Sequence, residues 1–323
     1  MLMTHNQTQA LLSVESKVDE KTQDNQFEQR QNQGLLLLDK TPDMSSNLAL
    51  QKAKRLLGIR KAGHTGSLDP LASGLLPICI GRATRLSSYL LNDDKRYVVT
   101  IKLGVTTATG DAEGVVLVEK PVPVLSSELL DQVISTFIGE IEQIPPMYSA
   151  LKHKGKRLYE LARQGIEVER KARPITIHQI TVLTYSTDRL ELNVSCSKGT
   201  YIRTLAEDIG NKIGCGAHVS SLRRTEVGDL NVKQAWTLQQ LEAIEDRQQR
   251  WQCVLDADCM LSDWSSVLLT EELGFHLSHG QPVWLPKLPS SGWLRLYNKD
   301  NQFIGIGEMT NDGKLAPRRM FIG

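Results

Sequence analysis

The stretch Gly63-His64-Thr65-Gly66-Ser67-Leu68-Asp69-Pro70 begins a segment that stays rich in glycine and proline up to residue 81. Because these residues interrupt regular elements, we predict a structured loop over residues 63–81, with no helix or strand crossing it. The segment has one carboxylate, Asp69, among small and apolar neighbours. Taken alone, an aspartate before proline is most often a turn residue, and catalysis is the alternative.

Strand and helix patterns surround this loop in mixed order. Continuous or alternating apolar residues predict strands over residues 35–38, 96–103, 175–183 and 190–197. Apolar residues at helical spacing predict helices over residues 46–57, with Ser45 as cap and Gly58 as stop, and over 130–137, 201–213 and 238–244. Because strands and helices do not alternate regularly, an α+β fold is favoured over a doubly wound parallel sheet.

Composition divides the 323 residues into three parts. Ten of the first 33 residues are Gln or Asn, so we predict that residues 1–33 form a disordered polar tail. Residues 34–250 are long enough for one large domain. The composition changes near residue 251, and the rest reads as short strands separated by turns. We therefore predict a small β-rich domain over residues 251–323.

The overall charge is near neutral, with 38 Lys and Arg against 37 Asp and Glu. Alone, this balance argues against a nucleic-acid partner. The charges are segregated, however: residues 147–173 contain eight Lys and Arg against three Glu, and residues 251–275 contain five acidic and no basic residues. A polarised molecule with a phosphate-binding face is therefore expected. Candidate contacts to an RNA backbone are Lys152, Lys154, Arg163, Arg223 and Arg224.

Several other classes of site lack support in the sequence. The five cysteines are odd in number and scattered, which favours a reducing compartment over a disulfide framework. Cys253 and Cys259 are spaced more widely than zinc ligands usually are, and no phosphate-binding G-x-x-x-x-G-K-[ST] string occurs. No apolar run approaches the roughly 18 residues of a membrane span. We therefore expect a cytoplasmic protein with no metal site and no membrane contact.

Three further side chains could belong to a site around Asp69. Arg203, in Gly199-Thr200-Tyr201-Ile202-Arg203-Thr204, could supply the cation that keeps a partly buried carboxylate ionised. Spacing alone does not show that Arg203 and Asp69 meet. On sequence alone, Tyr97 and Tyr201 are better interpreted as core aromatic residues.

Six strings carry a resemblance to a known family. They are Gly34-Leu-Leu-Leu-Leu-Asp39-Lys40, Gly63-His64-Thr-Gly-Ser-Leu-Asp69-Pro70-Leu-Ala-Ser-Gly74, Asp94-Lys95-Arg96-Tyr97, Ile144-Pro-Pro-Met-Tyr148-Ser-Ala-Leu-Lys152, Cys196-Ser-Lys-Gly-Thr-Tyr201-Ile-Arg203-Thr, and Cys215-Gly-Ala-His-Val-Ser-Ser-Leu222-Arg223-Arg224. Together, in this order and over about residues 34–230, they resemble the TruB family of tRNA pseudouridine synthases. That family isomerises the uridine at position 55 in the T-arm of tRNA.

The resemblance implies a role for each matched position. Asp69 corresponds to the catalytic aspartate, Arg203 to the arginine that pairs with it, and Tyr97 to the tyrosine that stacks on the target base and is a candidate for the later proton removal. The positions that line the pocket or hold the extruded nucleotide correspond to His64, Tyr201 and Leu222.

The resemblance also implies a fold and a way of working. The expected fold is that of pseudouridine synthases, with a mixed, largely antiparallel central sheet flanked by helices and a small PUA-like RNA-binding domain at the C-terminus. The reaction breaks an N-glycosidic bond, turns the uracil and rejoins it through carbon, so neither nicotinamide, ATP nor metal is expected as a cofactor. The expected partner is tRNA, with no obligate protein partner, and the expected state is a monomer.

Two alternatives remain open at this point. One is an RNA-binding module or tRNA-folding chaperone that makes no chemical change, because the basic segment would serve either role. The other is a subunit of an RNA-guided pseudouridine synthase of the related archaeal and eukaryotic type.

Overall fold

The computed structural model describes residues 33–286, 288–289 and 291–321. The predicted disordered tail lies outside the described residues, apart from Gln33. The described chain contains a large mixed sheet flanked by helices, a separate four-stranded sheet and two small two-stranded ribbons. The predicted α+β fold is confirmed.

The strands are β1 Gln33–Lys40, β2 Ala62–His64, β3 Ser73–Gly81, β4 Lys95–Leu103, β5 Val105–Thr107, β6 Val116–Glu119, β7 Gly139–Gln143, β8 Lys152–His153, β9 Lys156–Arg157, β10 Arg173–Tyr185, β11 Arg189–Cys196, β12 Ala217–Val227, β13 Leu230–Asn231, β14 Trp236–Thr237, β15 Val254–Leu255, β16 Ser265–Leu268, β17 Trp293–Tyr297, β18 Phe303–Met309 and β19 Leu315–Met320. The α-helices are α1 Ser46–Leu57, α2 Ser87–Asn92, α3 Ser127–Ser135, α4 Leu158–Ala162, α5 Ile202–Ile213, α6 Leu238–Ala243, α7 Arg247–Trp251 and α8 Glu271–Ser278. Short 3-10 helices cover Arg82–Leu86, Val232–Gln234 and Ala257–Leu261.

The large sheet has the strand order β14-β1-β3-β12-β4-β11-β10-β7. Along this path, β1/β14 and β3/β12 are parallel and the other pairs are antiparallel. The sheet is therefore mixed and largely antiparallel, as predicted. Strands β3, β12 and β4 lie side by side at its centre, so residues 73–81, 217–227 and 95–103 are brought together.

Strand β1 is buried on both faces. Leu36 and Leu38 belong to the core under α1, whereas Leu35 and Leu37 belong to a second core that also contains Ile306. Successive residues of a strand point to opposite faces, so burial on both sides requires a continuous apolar run rather than alternation. The four consecutive leucines meet this requirement.

Helix α1 begins and ends as its sequence predicts. Ser45 is the N-cap, and its side chain accepts a hydrogen bond from the Leu48 N–H. At the other end Gly58 adopts a left-handed conformation with φ of 68°, which glycine takes without a steric penalty.

The predicted loop over residues 63–81 is wrong in extent. Strands β2 and β3 occupy both ends, so the irregular part covers only residues 65–72. On the side of β3 that faces away from β1, β12 pairs with Ser73 and Gly74, and β2 pairs with Ile78 to Ile80. Pro77 lies between these two pairings, so the strand tolerates its missing N–H.

The C-terminal region forms its own sheet in the order β16-β17-β18-β19, so the predicted small β-rich unit is present. The segment just before it belongs structurally to the large sheet: β15 pairs with β1, and Trp251 and Cys253 pack in the core under α1. A domain boundary near residue 251 therefore stays a proposal.

Among the described residues, no helix combines the length and the apolar composition that crossing a bilayer requires.

Candidate active site

Buried polar side chains hold the loop that carries Asp69 in place. Ser46, at the start of α1, donates its hydroxyl to the Leu68 carbonyl at 2.9 Å and accepts from the Leu68 N–H at 2.7 Å. This double contact fixes the peptide groups immediately before Asp69. The position of the carboxylate is therefore set by the rigid start of a helix.

Lys40 holds the other side of the same loop. Its fully buried ammonium group donates to the carbonyls of Thr41 at 2.9 Å, Met44 at 2.6 Å and Pro70 at 3.2 Å. Burial lowers the pKa of Lys40 to about 8, and the nearby charge of Asp69 opposes that lowering. Lys40 thus ties the end of β1 to the residue after Asp69.

Asp69 and Arg203 form the ion pair at the centre of the site. Arg203 Nε lies 2.9 Å from Asp69 Oδ2, with side-chain exposures of 6% for the arginine and 39% for the aspartate. A ligand can therefore reach the carboxylate but not the guanidinium. The sequence suggested this pairing, and the structure brings the two residues together from the loop and the first turn of α5.

The guanidinium of Arg203 has a partner on every nitrogen. Nη1 donates to the Thr109 carbonyl at 2.8 Å and Nη2 to the Tyr148 carbonyl at 2.7 Å. Nη1 also lies 3.5 Å from Asp111 Oδ2, and the Asp111 side chain is only 4% exposed. Arg203 cannot rotate without breaking these contacts, so it presents a fixed charge to Asp69.

Asp111 is a site residue that the sequence reasoning missed. It lies in the turn between Gly110 and Gly114, where an aspartate is normally a turn former. Its side chain accepts hydrogen bonds from Thr109 Oγ1 at 2.5 Å and from the Glu113 N–H at 3.1 Å. These contacts within the turn are typical of a turn-forming aspartate. What distinguishes Asp111 from an ordinary turn aspartate is that its side chain is buried against Arg203. A turn motif does not predict such burial.

Burial raises the pKa of Asp69 above the ordinary aspartate value, and the charge and hydrogen bond of Arg203 oppose this rise. Asp111 and Lys40 act in addition, the first raising and the second lowering the same pKa. The carboxylate is therefore more basic than that of an exposed aspartate. A partly desolvated carboxylate held by a fixed cation can act as a nucleophile or can stabilise positive charge.

The other predicted pocket residues lie on β2, β4 and β12 and at the start of α5. Tyr97 is on β4, and its phenol is influenced by the charge of Asp69. Leu222, on β12, is buried and faces Val99 on β4. Within the described part of the chain, the buried Nδ1 of His64, at the end of β2, has no hydrogen-bond partner.

Tyr201 is the N-cap of α5, and its backbone is clamped by a buried amide. Gln143, at the end of β7, donates from Nε2 to the Tyr201 carbonyl at 3.1 Å and accepts from the Tyr201 N–H at 2.8 Å. The clamp joins the edge of the sheet to the turn of α5 that carries Arg203.

One turn further along α5, burial raises the pKa of Glu207 to about 7, and the charge of Asp208 adds to the rise.

The predicted RNA contacts divide into three environments. Lys152, Lys154 and Arg163 are exposed on and beside the β8–β9 ribbon. Arg223 forms a bidentate pair with Asp39, with contacts of 2.9 and 2.7 Å. The prediction for Arg224 is wrong: it is 2% exposed, and its guanidinium binds backbone carbonyls inside the protein. Arginine is mostly a surface residue, and nothing in the string Leu222-Arg223-Arg224 marks the second arginine as the buried one.

Family models cover most of the described chain. The TruB family pseudouridylate synthase N-terminal domain matches residues 54–202, the tRNA pseudouridylate synthase B C-terminal domain matches residues 203–262, and the pseudouridine synthase II TruB C-terminal domain matches residues 265–321. In solved structures, the chain resembles one in a Cbf5-Nop10-Gar1 complex at 24% identity and a TM-score of 0.68, covering 92% of this chain and 87% of that one. A chain of an H/ACA ribonucleoprotein bound to a substrate RNA containing 2′-deoxyuridine matches at 23% identity and a TM-score of 0.66, covering 90% and 85%. These two likenesses support the pseudouridine synthase fold.

Curated bacterial proteins are much more similar in sequence. The tRNA pseudouridine synthase B of Nitrosococcus oceani is 52% identical over 289 residues, which covers 89% of this chain and 94% of that protein. The tRNA pseudouridine synthase B of Pseudomonas aeruginosa is 50% identical over 290 residues, covering 89% and 95%. With these relatives and the matching domain models, the chain belongs to the TruB family of pseudouridylate synthases.

Proposed function

We propose that the protein is a tRNA pseudouridine synthase that converts uridine 55 in the T-arm of tRNA to pseudouridine. The observation that carries this proposal is the Asp69–Arg203 pair, in which a reachable carboxylate is held at 2.9 Å by a buried guanidinium. The proposal is supported by relatives named tRNA pseudouridine synthase B, which are identical to this chain at about half of the aligned residues.

The reaction requires the target base to leave the stack. A uracil paired or stacked within the T-arm cannot meet Asp69, because the carboxylate lies in a loop set against the sheet. Once the nucleotide is extruded, it replaces water over the exposed part of Asp69. The fixed guanidinium then keeps the carboxylate ionised and oriented.

Three chemical routes are open to the ionised carboxylate of Asp69. It attacks C1′ of the ribose and displaces the uracil, or it adds to C6 of the base, or it assists the departure of the base as a glycal forms. In each route the N1–C1′ bond breaks and a C5–C1′ bond forms, so the product is an isomer of the substrate. No external electron or phosphoryl donor enters this balance.

Other residues have assigned parts in this proposal. Tyr97 stacks on the extruded base and later accepts the proton from C5. Leu222 and Tyr201 line the pocket, and the unpartnered Nδ1 of His64 is available to a polar atom of the extruded nucleotide. These roles rest on the motif strings and, for Tyr97 and Tyr201, also on the influence of the Asp69 charge on their phenols.

The exposed basic ribbon is the proposed contact to the tRNA backbone. Lys152 and Lys154 lie on β8 and its turn, and Arg163 lies just after α4. Lys and Arg at the surface bind phosphates without reading sequence. We propose that the protein binds tRNA in this way as a monomer in the cytoplasm and needs no protein or guide-RNA partner.

The test is to incubate the purified chain with unmodified tRNA and map pseudouridine by position. The proposal predicts stoichiometric conversion at uridine 55 without other proteins. Binding without any product favours the RNA-binding module, and activity only with added protein or guide-RNA partners favours the RNA-guided subunit. Either outcome contradicts the proposal.

A further inference from the structure

Arg224 is a buried cation for which no carboxylate partner occurs in the described part of the chain. It is 2% exposed, and Nε donates to the Leu75 carbonyl at 2.8 Å while Nη2 donates to the Gly66 carbonyl at 3.0 Å. Removing an arginine from water is costly unless an anion compensates for it. Neutral carbonyls compensate only in part, so the fold carries a positive charge that its own residues do not balance.

The sheet places this charge directly beside Tyr97. Arg224 on β12 is the cross-strand partner of Tyr97 on β4, and such antiparallel partners have Cβ atoms roughly 5 Å apart. On its other side Arg224 pairs with Gly74 on β3. A Cβ at Gly74 would lie 2.2 Å from the Arg224 carbonyl oxygen, so glycine is what allows the strand to approach this closely. The register therefore fixes the backbone of Arg224 next to that of Tyr97.

The titratable groups around Arg224 are mostly basic. The pKa of His64 is lowered, and the pKa of both Lys40 and Lys95 is lowered to about 8. Burial is the main cause in all three, and the charge of Arg224 adds to each lowering. Burial raises the pKa of Tyr97, whereas the charge and a hydrogen bond of Arg224 lower it. Of these neighbours, only the phenol of Tyr97 can become an anion. Arg224 is therefore placed to stabilise a phenolate there.

We propose that Arg224 is a positioning residue that holds the Tyr97 phenol and supplies the charge that stabilises its anionic form during proton removal from C5. The inference rests on the proposed function and deepens it. After the C5–C1′ bond has formed, C5 still carries its hydrogen. The Tyr97 phenolate oxygen takes that proton, and the C–H electron pair forms the C5=C6 double bond. Where Asp69 is not bonded to C6, the π pair of the N1=C6 double bond moves to N1, which takes a proton from water. Where the Asp69 oxygen is bonded to C6, the C6–O pair leaves with the carboxylate, and N1 has already taken its proton from water when the N1–C1′ bond broke. Tyr97 then returns its proton to solvent.

The test compares Arg224→Lys and Arg224→Gln with the wild type, each with Tyr97 intact and in a Tyr97→Phe background. Single-turnover rate constants are measured at saturating tRNA, with hydrogen or deuterium at C5 of the target uridine. The matched control is Arg250→Lys. Arg250 also donates to two backbone carbonyls, those of Ile244 at 2.6 Å and Leu56 at 2.9 Å, but it lies on α7, away from Asp69.

With Tyr97 intact, we expect Arg224→Lys to slow turnover about 100-fold, while tRNA affinity stays within a factor of about three. Deuterium at C5 should slow this variant more than it slows the wild type, because proton removal becomes limiting. In the Tyr97→Phe background, the same substitution should add only about a twofold loss or less. Arg250→Lys should leave turnover and the isotope effect unchanged.

Equal losses in both backgrounds, an unchanged isotope effect, or a loss confined to tRNA affinity would overturn the proposal. So would failure of both Arg224 variants to fold, as judged by thermal melting, because Arg224 would then be a folding residue. If the wild type itself forms no pseudouridine, the proposed function fails instead, and the two failures are thereby distinguished.

Discussion

Arg203 Nε lies 2.9 Å from Asp69 Oδ2, yet the arginine side chain is 6% exposed and the aspartate 39%. The pair thus has a fixed, buried member and a reachable one. This asymmetry gives the carboxylate a constant orientation while leaving it open to a substrate. The three other contacts of Arg203, to Thr109, Tyr148 and Asp111, keep the guanidinium in place when Asp69 reacts.

The first prediction concerns the pH dependence of turnover. Asp69 acts as a carboxylate, so activity rises as pH rises through its pKa. Burial has raised that pKa and Arg203 opposes the rise. Arg203→Gln removes the opposing charge, so the acid limb of the pH–rate profile should move to higher pH, and Arg203→Lys should move it less. Single-turnover rates across the acid range check this, and an acid limb that stays in place would rule out the electrostatic role.

A second prediction concerns Gln143, whose amide clamps the Tyr201 backbone. Gln143→Met leaves a buried N–H and a buried carbonyl without partners, at a cost of about 1–3 kcal/mol. The first turn of α5 should loosen, so the single-turnover rate should fall while tRNA affinity is retained. Gln240, whose amide contacts lie at the exposed start of α6, provides the control Gln240→Met. Equal effects of the two substitutions would contradict the clamp.

A third prediction tests the close approach of β3 and β12. Gly74 and Gly139 both have positive φ, 100° and 103°, but only Gly74 has backbone atoms in the space of a Cβ. Gly139→Ala should cost only the conformational strain, about 1–2 kcal/mol. Gly74→Ala adds a backbone clash at Arg224 and should destabilise the protein well beyond that. Chemical denaturation of both variants measures the difference, and similar losses of stability would refute the packing argument.

A fourth prediction concerns salt. Each phosphate neutralised by the protein contributes a slope of roughly 0.7–0.9 to the fall of affinity with salt concentration on logarithmic axes. Lys152→Ala and Lys154→Ala should each weaken tRNA binding and reduce this slope, since both side chains are exposed on the basic ribbon. The control is Lys299→Ala, because Lys299 is already paired with Glu271 in the C-terminal region. A slope that does not change in the ribbon variants would move the tRNA contact elsewhere.

The sequence predicted Asp69 and Arg203 as site residues, but not Asp111, the second carboxylate beside Arg203. Asp69 and Arg203 stand in two of the strings that carry the family resemblance, whereas Asp111 stands in a turn whose aspartate needs no further explanation. Whether a turn aspartate also faces a buried cation depends on the packing of β12 against residues 108–112, which are distant in the chain. Local sequence carries no record of that contact.

Burial was the other property that the sequence did not reveal. Arg223 and Arg224 are neighbours, but successive residues of a strand point to opposite faces, so only one meets Tyr97 inside the protein. Pro77 likewise suggested a loop, although its position between two pairings allows a strand. The leucine run of β1 and the caps of α1 were predictable because burial on both faces and left-handed glycine leave direct marks in the sequence.

Asp69 performs the chemistry in the proposed function, and the substitution Asp69→Asn is the sharpest test of this role. The substitution keeps the shape of the side chain and removes the ionisable carboxylate. Unmodified tRNA is incubated with equal concentrations of wild type and variant, and pseudouridine at position 55 and tRNA affinity are measured in the same samples. We expect full conversion by the wild type, no product from Asp69→Asn, and nearly equal tRNA affinity for both. Equal product from the two proteins would contradict it.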